Sequence, residues 1–142
     1  DASGNPTLKN SDVIFFNNLK HRSGDIWLTG DNRTGAGDGD DEQIIVKLNS
    51  LSNDYQKIVF IVQIYEGIKN NQHFGQVDNA FIRAVDASGK EMVRFDLSGK
   101  GYDQQRSLLF AELVREINGW KFNALGQSSA SDNFVEWLKK YV

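Results

Sequence analysis

The sequence predicts a mainly β protein, a β-sandwich of two sheets with one or two short peripheral helices. Three observations predict it. Apolar residues recur with a period near two over most of the chain, as they do on a half-buried strand. The apolar stretches are rich in Val, Ile, Phe and Trp, which suit a pleated surface. Short clusters of Gly, Asn, Asp and Ser separate them, and these residues supply the side-chain bonds and backbone freedom that turns need. At 142 residues, with 39% apolar and 11% aromatic content, the chain has the bulk for one core, so a single domain over 1–142 is expected.

The elements follow in order. DASG at 1–4 repeats the tetrapeptide at 86–89 and predicts a hairpin turn whose first strand lies upstream, so the domain is expected to be N-terminally incomplete. An unpaired sheet edge would follow, and such edges recruit other strands, which predicts homo-oligomerisation. DVIFF at 12–16, IWLT at 26–29, IIVKL at 44–48 and KIVFIVQIY at 57–65 read as strands. NAFIRAV at 79–85 and EMVRFDL at 91–97 read as a hairpin joined by DASGK at 86–90. In it Val93, Phe95 and Leu97 take one face and Met92, Arg94 and Asp96 the other. GWKFNAL at 119–125 is a further strand. SLLFAELVRE at 107–116 satisfies the strand and helix templates equally poorly and stays ambiguous. Near the C-terminus Phe134, Trp137, Leu138 and Tyr141 recur at i, i+3, i+4 and i+7, which predicts an amphipathic helix docked on a sheet.

Composition excludes several functions. A net charge of −3 and the lack of a Lys/Arg cluster argue against nucleic acid, whose phosphates require a basic face. No cysteine is present, so thiolate chemistry and disulfides are out, and a reducing compartment is expected. The longest wholly apolar run, 58–62, is far short of the roughly 20 residues a spanning helix needs, and no signal peptide is evident.

The charge is concentrated in GDNRTGAGDGDDE at 30–42. Asp31, Asp38, Asp40, Asp41 and Glu42 face only Arg33, so this loop alone carries the acidity of the chain. A phosphate cradle does not fit, because no Gly-Lys-Ser/Thr follows the glycines and the charge would repel the anion. An EF-hand does not fit either, since Arg33, Gly35 and Ala36 occupy positions that motif reserves for ligands and its turn glycine. Oxygen chemistry remains. Asp31, Asn32, Thr34, Asp38, Asp40, Asp41 and Glu42 all offer oxygens, and the interspersed glycines let backbone carbonyls turn inward. Hard cations such as Ca²⁺ take six to eight such ligands, whereas zinc and copper prefer the imidazole and thiolate absent here. A solvated acidic turn is the bland alternative, but carboxylates this crowded repel one another without a counter-ion.

Other residues have quieter readings. His21 and His73 stand apart in polar loops and read as surface histidines. Asn17 and Asn18 read as turn formers, and Trp27 and Trp120 as core. Asp78, Asp96 and Asp103 lie near strand ends, but no Ser/His/Asp constellation is visible in the sequence.

The segments FFNNLKHRSGDIWLTGDNRTGAGDGDDEQIIVKL at 15–48, FGQVDNAFIRAVD at 74–86, RFDLS at 94–98 and WKFNALGQ at 120–127 together resemble the TerD domain family of tellurium-resistance and stress proteins. The resemblance implies a calcium-binding β-sandwich, cytoplasmic or loosely attached to the inner membrane through partners, within a stress-response complex. It places Asp31 and Asn32 in the family's GDN element and Asp38, Asp40, Asp41 and Glu42 at its acidic end, with Thr34 and Gly35 adding carbonyls. Family members usually carry an upstream acidic segment that also faces the metal, and this sequence starts after it. The expected role is a Ca²⁺-dependent binding or scaffold module and not an enzyme. A divalent-metal-dependent hydrolase and a purely structural calcium-stabilised domain are the alternatives.

Overall fold

The computed structural model describes residues 12–15, 17–29, 42–64, 67–71, 73–74, 81–97 and 104–139. The chain divides into two compact units, Asp1–Gln56 and Lys57–Tyr141. Among the described residues the strands of both pair antiparallel, and they dominate the second.

In the first unit β1 (Ile26–Leu28) pairs with β2 (Ile44–Val46), placing Trp27 opposite Ile45 and Leu28 opposite Ile44. The chain preceding β1 lies along its other edge. Lys20 bridges Trp27, the Leu28 N–H donates to the Leu19 carbonyl at 2.8 Å, and the His21 N–H donates to the Ile26 carbonyl at 2.9 Å. Of the strand expected at 12–16, the described residues 12–15 form none. Phe15 and Asn18 exchange backbone bonds of 3.1 and 2.9 Å, and the Asn18 side chain donates to the Val13 carbonyl at 2.8 Å. That bond takes an acceptor a strand ladder would use, so Asn18 acts as the turn former its type suggests.

The second unit begins with β3 (Lys57–Gln63), followed by the hairpin β4 (Phe81–Val85) and β5 (Glu91–Asp96). The long pair β6 (Ser107–Glu116) and β7 (Gly119–Ser129) comes next. β6 is the centre of a three-stranded sheet, with β3 on one edge and β7 on the other. Its first half, Ser107 to Ala111, is buried at every residue. A central strand covered on both faces has no reason to alternate, which is why the sequence pattern left this segment ambiguous.

The sheets of this unit pack face to face. Leu108, Phe110 and Ala111 of β6 form the core with Phe74 and Leu97. Phe60 and Val62 of β3, Ile82 and Ala84 of β4, Val93 and Phe95 of β5 and Phe122 of β7 close around them. Phe95 meets Phe110 edge to face at 5.4 Å, and Phe110 meets Phe122 at 6.1 Å. This is the two-layer burial of a sandwich. The short helix α1 (Val135–Leu138) docks as its spacing predicts. Trp137 is buried, and its indole N–H donates to the buried Ser107 hydroxyl at 2.9 Å, while the Phe134 N–H donates to Gln63 Oε1 at 2.8 Å. Tyr141 lies outside the described residues. Among the described residues no helix is long and apolar enough to cross a membrane.

Candidate metal centre

The acidic run connects β1 to β2. Beyond the last rung, Leu28 opposite Ile44, the Thr29 N–H donates to the Gln43 carbonyl at 2.9 Å. The Gln43 N–H donates in turn to the Thr29 hydroxyl at 3.2 Å. The two ends of the acidic segment are therefore clamped side by side, and every carboxylate between them belongs to one closed loop. Closing a loop of this length costs only a few kcal/mol of chain entropy, and the ladder has already met it. Asp31, Asn32, Thr34, Gly35, Asp38, Asp40 and Asp41 lie outside the described residues. Glu42 is described, exposed, and adjacent to the clamp. Among the described residues no group of three or more His, Asp or Glu side chains is gathered closely enough to hold a metal ion.

A second cluster in the same unit overturns a reading of the sequence. His21 is 3% exposed and His73 is 7% exposed, so neither is a surface histidine. The Asp12 carboxylate, 8% exposed, accepts from His21 Nε2 at 2.9 Å and from the Tyr55 hydroxyl at 3.1 Å. Arg22 donates to the Tyr55 hydroxyl at 2.6 Å and stands 3.5 Å from the same carboxylate, which supplies the counter-charge a buried acid requires. The His21 and Tyr55 rings meet edge to face at 5.2 Å. Burial, then the hydrogen bond to Asp12 and the negative charge of Asp12, push the Tyr55 hydroxyl above its ordinary pKa, against the opposing Arg22. The cluster was invisible in the sequence because Asp12 lies 9 residues from His21 and 43 from Tyr55.

Ser23 Oγ lies 2.7 Å from His21 Nδ1, so Ser23, His21 and Asp12 fall in the order of a nucleophilic relay. The surroundings give it another role. Ser23 also donates its own backbone N–H to Nδ1 at 3.2 Å, and its hydroxyl accepts from the Asp25 N–H at 3.1 Å. These are the bonds of a turn formed within the segment itself. The Asp12 charge is shared with Arg22 and Tyr55. The cluster pins the 21–25 turn to Asp12 and Tyr55, and so fixes the chain leading into β1.

The remaining candidates separate. Asp96 is exposed and paired with Arg94 at 3.0 Å. Asp78 and Asp103 lie outside the described residues. Trp27 and Trp120 are half-buried and do not fill the core. Trp120 lies under the Arg115 guanidinium at 4.4 Å, and Trp27 has Lys47 Nζ 5.5 Å from its ring centroid. The buried tryptophan is Trp137.

Comparison with known proteins places this arrangement in a family. The TerD domain model matches residues 2–141. Tellurium resistance protein TerX of Serratia marcescens is 67% identical over 141 residues, covering 99% of this chain and 66% of that protein. Stress response protein SCP2 of Bacillus subtilis (strain 168) is 41% identical over 131 residues, covering 92% of this chain and 65% of that protein. The solved structure of a homologue of telluride resistance protein (TerD) from Streptomyces coelicolor A3(2) has the same fold, with a TM-score of 0.67 at 24% identity over 80% of this chain and 66% of that one. The chain thus spans about two thirds of the length of these relatives. With nearly every residue inside the match, the chain belongs to the TerD domain family.

Proposed function

We propose that this chain is a calcium-binding module of the stress and tellurium-resistance response, acting in the cytoplasm as a Ca²⁺-dependent binding or scaffold surface for protein partners. Peripheral attachment to the inner membrane would come through those partners. The observation that supports this reading best is the clamp at Thr29 and Gln43, which closes the acidic run into one loop. The donor set fits the ion. Asp31, Asn32, Asp38, Asp40, Asp41 and Glu42 offer side-chain oxygens, Thr34 and Gly35 offer carbonyls, and neither thiolate nor imidazole stands among them. When bound, calcium would supply charge neutralisation and a fixed loop shape. The chain's own part is to hold β1 and β2 in register beneath that loop.

Calorimetry should find Ca²⁺ bound more tightly than Mg²⁺, which demands a small octahedron and releases water reluctantly. Asp38→Asn, Asp40→Asn and Asp41→Asn should each weaken Ca²⁺ binding by about tenfold, or ~1.4 kcal/mol, while the exposed Asp54→Asn should not. Partner capture with calcium and with chelator then separates a scaffold from a domain the ion merely stiffens. Metal-dependent turnover in a phosphoester screen would replace this reading with the hydrolase.

A further inference from the structure

We propose that the Trp27 face of the β1–β2 ladder carries a second binding site, for a planar ligand bearing an oxyanion, of the mononucleotide class. The ladder builds it. Lys20 opposes Trp27 on one side and Ile45 opposes it on the other. Lys47 is two residues beyond Ile45 and so rises on the same face, diagonal to Trp27. Lys20, Trp27 and Lys47 line a shallow depression of about 290 Å³ with Leu19, Gly24 and Leu28. That is the lower end of the size of small-molecule sites, and close to what a mononucleotide occupies.

Two physical features select the ligand. The first is charge. Among the described residues neither lysine has a carboxylate within ion-pair distance, although the chain as a whole is acidic. Two ammonium groups facing one depression repel each other until an anion lies between them, and phosphate oxygens accept charge-assisted bonds from both. The second is shape. Lys47 stands over the Trp27 ring at 5.5 Å, so the indole presents part of a π-face beside the cations, and a planar base stacks on such a face whatever its sequence identity. Gly24 keeps the rim low. Its φ is +79°, and a Cβ there would lie 3.8 Å from Lys20 Cε, so the lysine stem runs across the bare turn with its ammonium free to reach the depression.

The test is calorimetry of the full chain with adenosine monophosphate, run in chelator so that calcium held by the acidic loop cannot bridge the phosphate. The indole N–H resonance of Trp27 is followed in parallel. Saturable binding is expected, with adenosine alone and inorganic phosphate alone each at least about tenfold weaker. Lys20→Ala and Lys47→Ala, both at exposed positions, should each lose about tenfold, and binding should weaken as ionic strength rises. Trp27→Leu should remove the advantage of the nucleotide over phosphate. No saturable binding at millimolar nucleotide, or binding unchanged in both lysine variants, overturns the proposal. So does binding to phosphatidylserine vesicles without nucleotide binding, which would make the face a lipid contact. None of these results bears on calcium affinity, so this site and the acidic loop stand or fall separately.

Discussion

Gly126 is held in β7 at a φ of +65°, where the ladder to β6 slips so that Leu109 faces Gln127 while Ala111 faces Ala124. A bulge of this kind places one residue in the left-handed region, where glycine alone is unstrained. The space is also taken, because a Cβ at 126 would lie 3.1 Å from Phe95 Cζ and 3.2 Å from its Cε1. Phe95 has little freedom to yield, being packed edge to face on Phe110 in the core. Gly126→Ala should therefore cost about 1–3 kcal/mol, from left-handed strain and overpacking together. Denaturant melts of the two proteins check it, and coincident midpoints would show that β7 can straighten. Residue type marks this position only once the bulge is seen, because the strand expected at 119–125 runs on through Gly126 to Ser129. It was uninformative at His21, whose surroundings in sequence are polar although its surroundings in space are Asp12, Ser23 and Tyr55.

At the scale of an element, the β4–β5 hairpin shows local sequence deciding local structure. Asp86 Oδ1 accepts from the Ser88 hydroxyl at 2.7 Å, the Ser88 N–H at 2.9 Å and the Lys90 N–H at 3.0 Å, so one carboxylate organises the whole DASGK turn. The Ser88 hydroxyl first, and then the backbone N–H of Lys90, hold this carboxyl below its ordinary pKa of 3.8. A lowered pKa means the folded turn favours the charged form. Its contribution is complete above the ordinary value and is lost as the pH falls through the lowered one. The stability difference between the native chain and Asp86→Ala should accordingly narrow between neutral pH and the acid side of that value. A difference constant across the range would mean that the turn holds without the charge.

This hairpin was legible because its signals are contiguous. β6 was not, because burial on both faces erased its period, and the strand expected at 12–16 is not seen at its described residues, because the Asn18 bond to Val13 that competes with a ladder depends on the folded path. The acidic run itself lies outside the described residues apart from Glu42, and the structure adds the clamp at its ends.

For the molecule as a whole, β1 and β2 are three residues each, and so short a pair is marginal by itself. The Asp12 cluster secures the chain entering β1, and on the proposed calcium-binding reading the crowded carboxylates of the acidic run would oppose the ladder until a cation screens them. Under the proposed function, calcium binds only the folded form, because an unfolded chain does not gather the oxygens. At a hundredfold excess over Kd, mass action then adds about 2.7 kcal/mol. For a chain of this size that is a rise in melting temperature of roughly 5–10 °C, reversed by chelator. The gain should be local in origin, so amide exchange at Trp27, Ile45 and Val46 should slow with calcium more than at Leu108 to Ala111 in the second unit. Coincident melting curves with calcium and with chelator would sink the loop as a metal site in this chain. Repeating the comparison with the upstream acidic segment of a longer relative attached would then show whether ligands from that segment are needed to complete it.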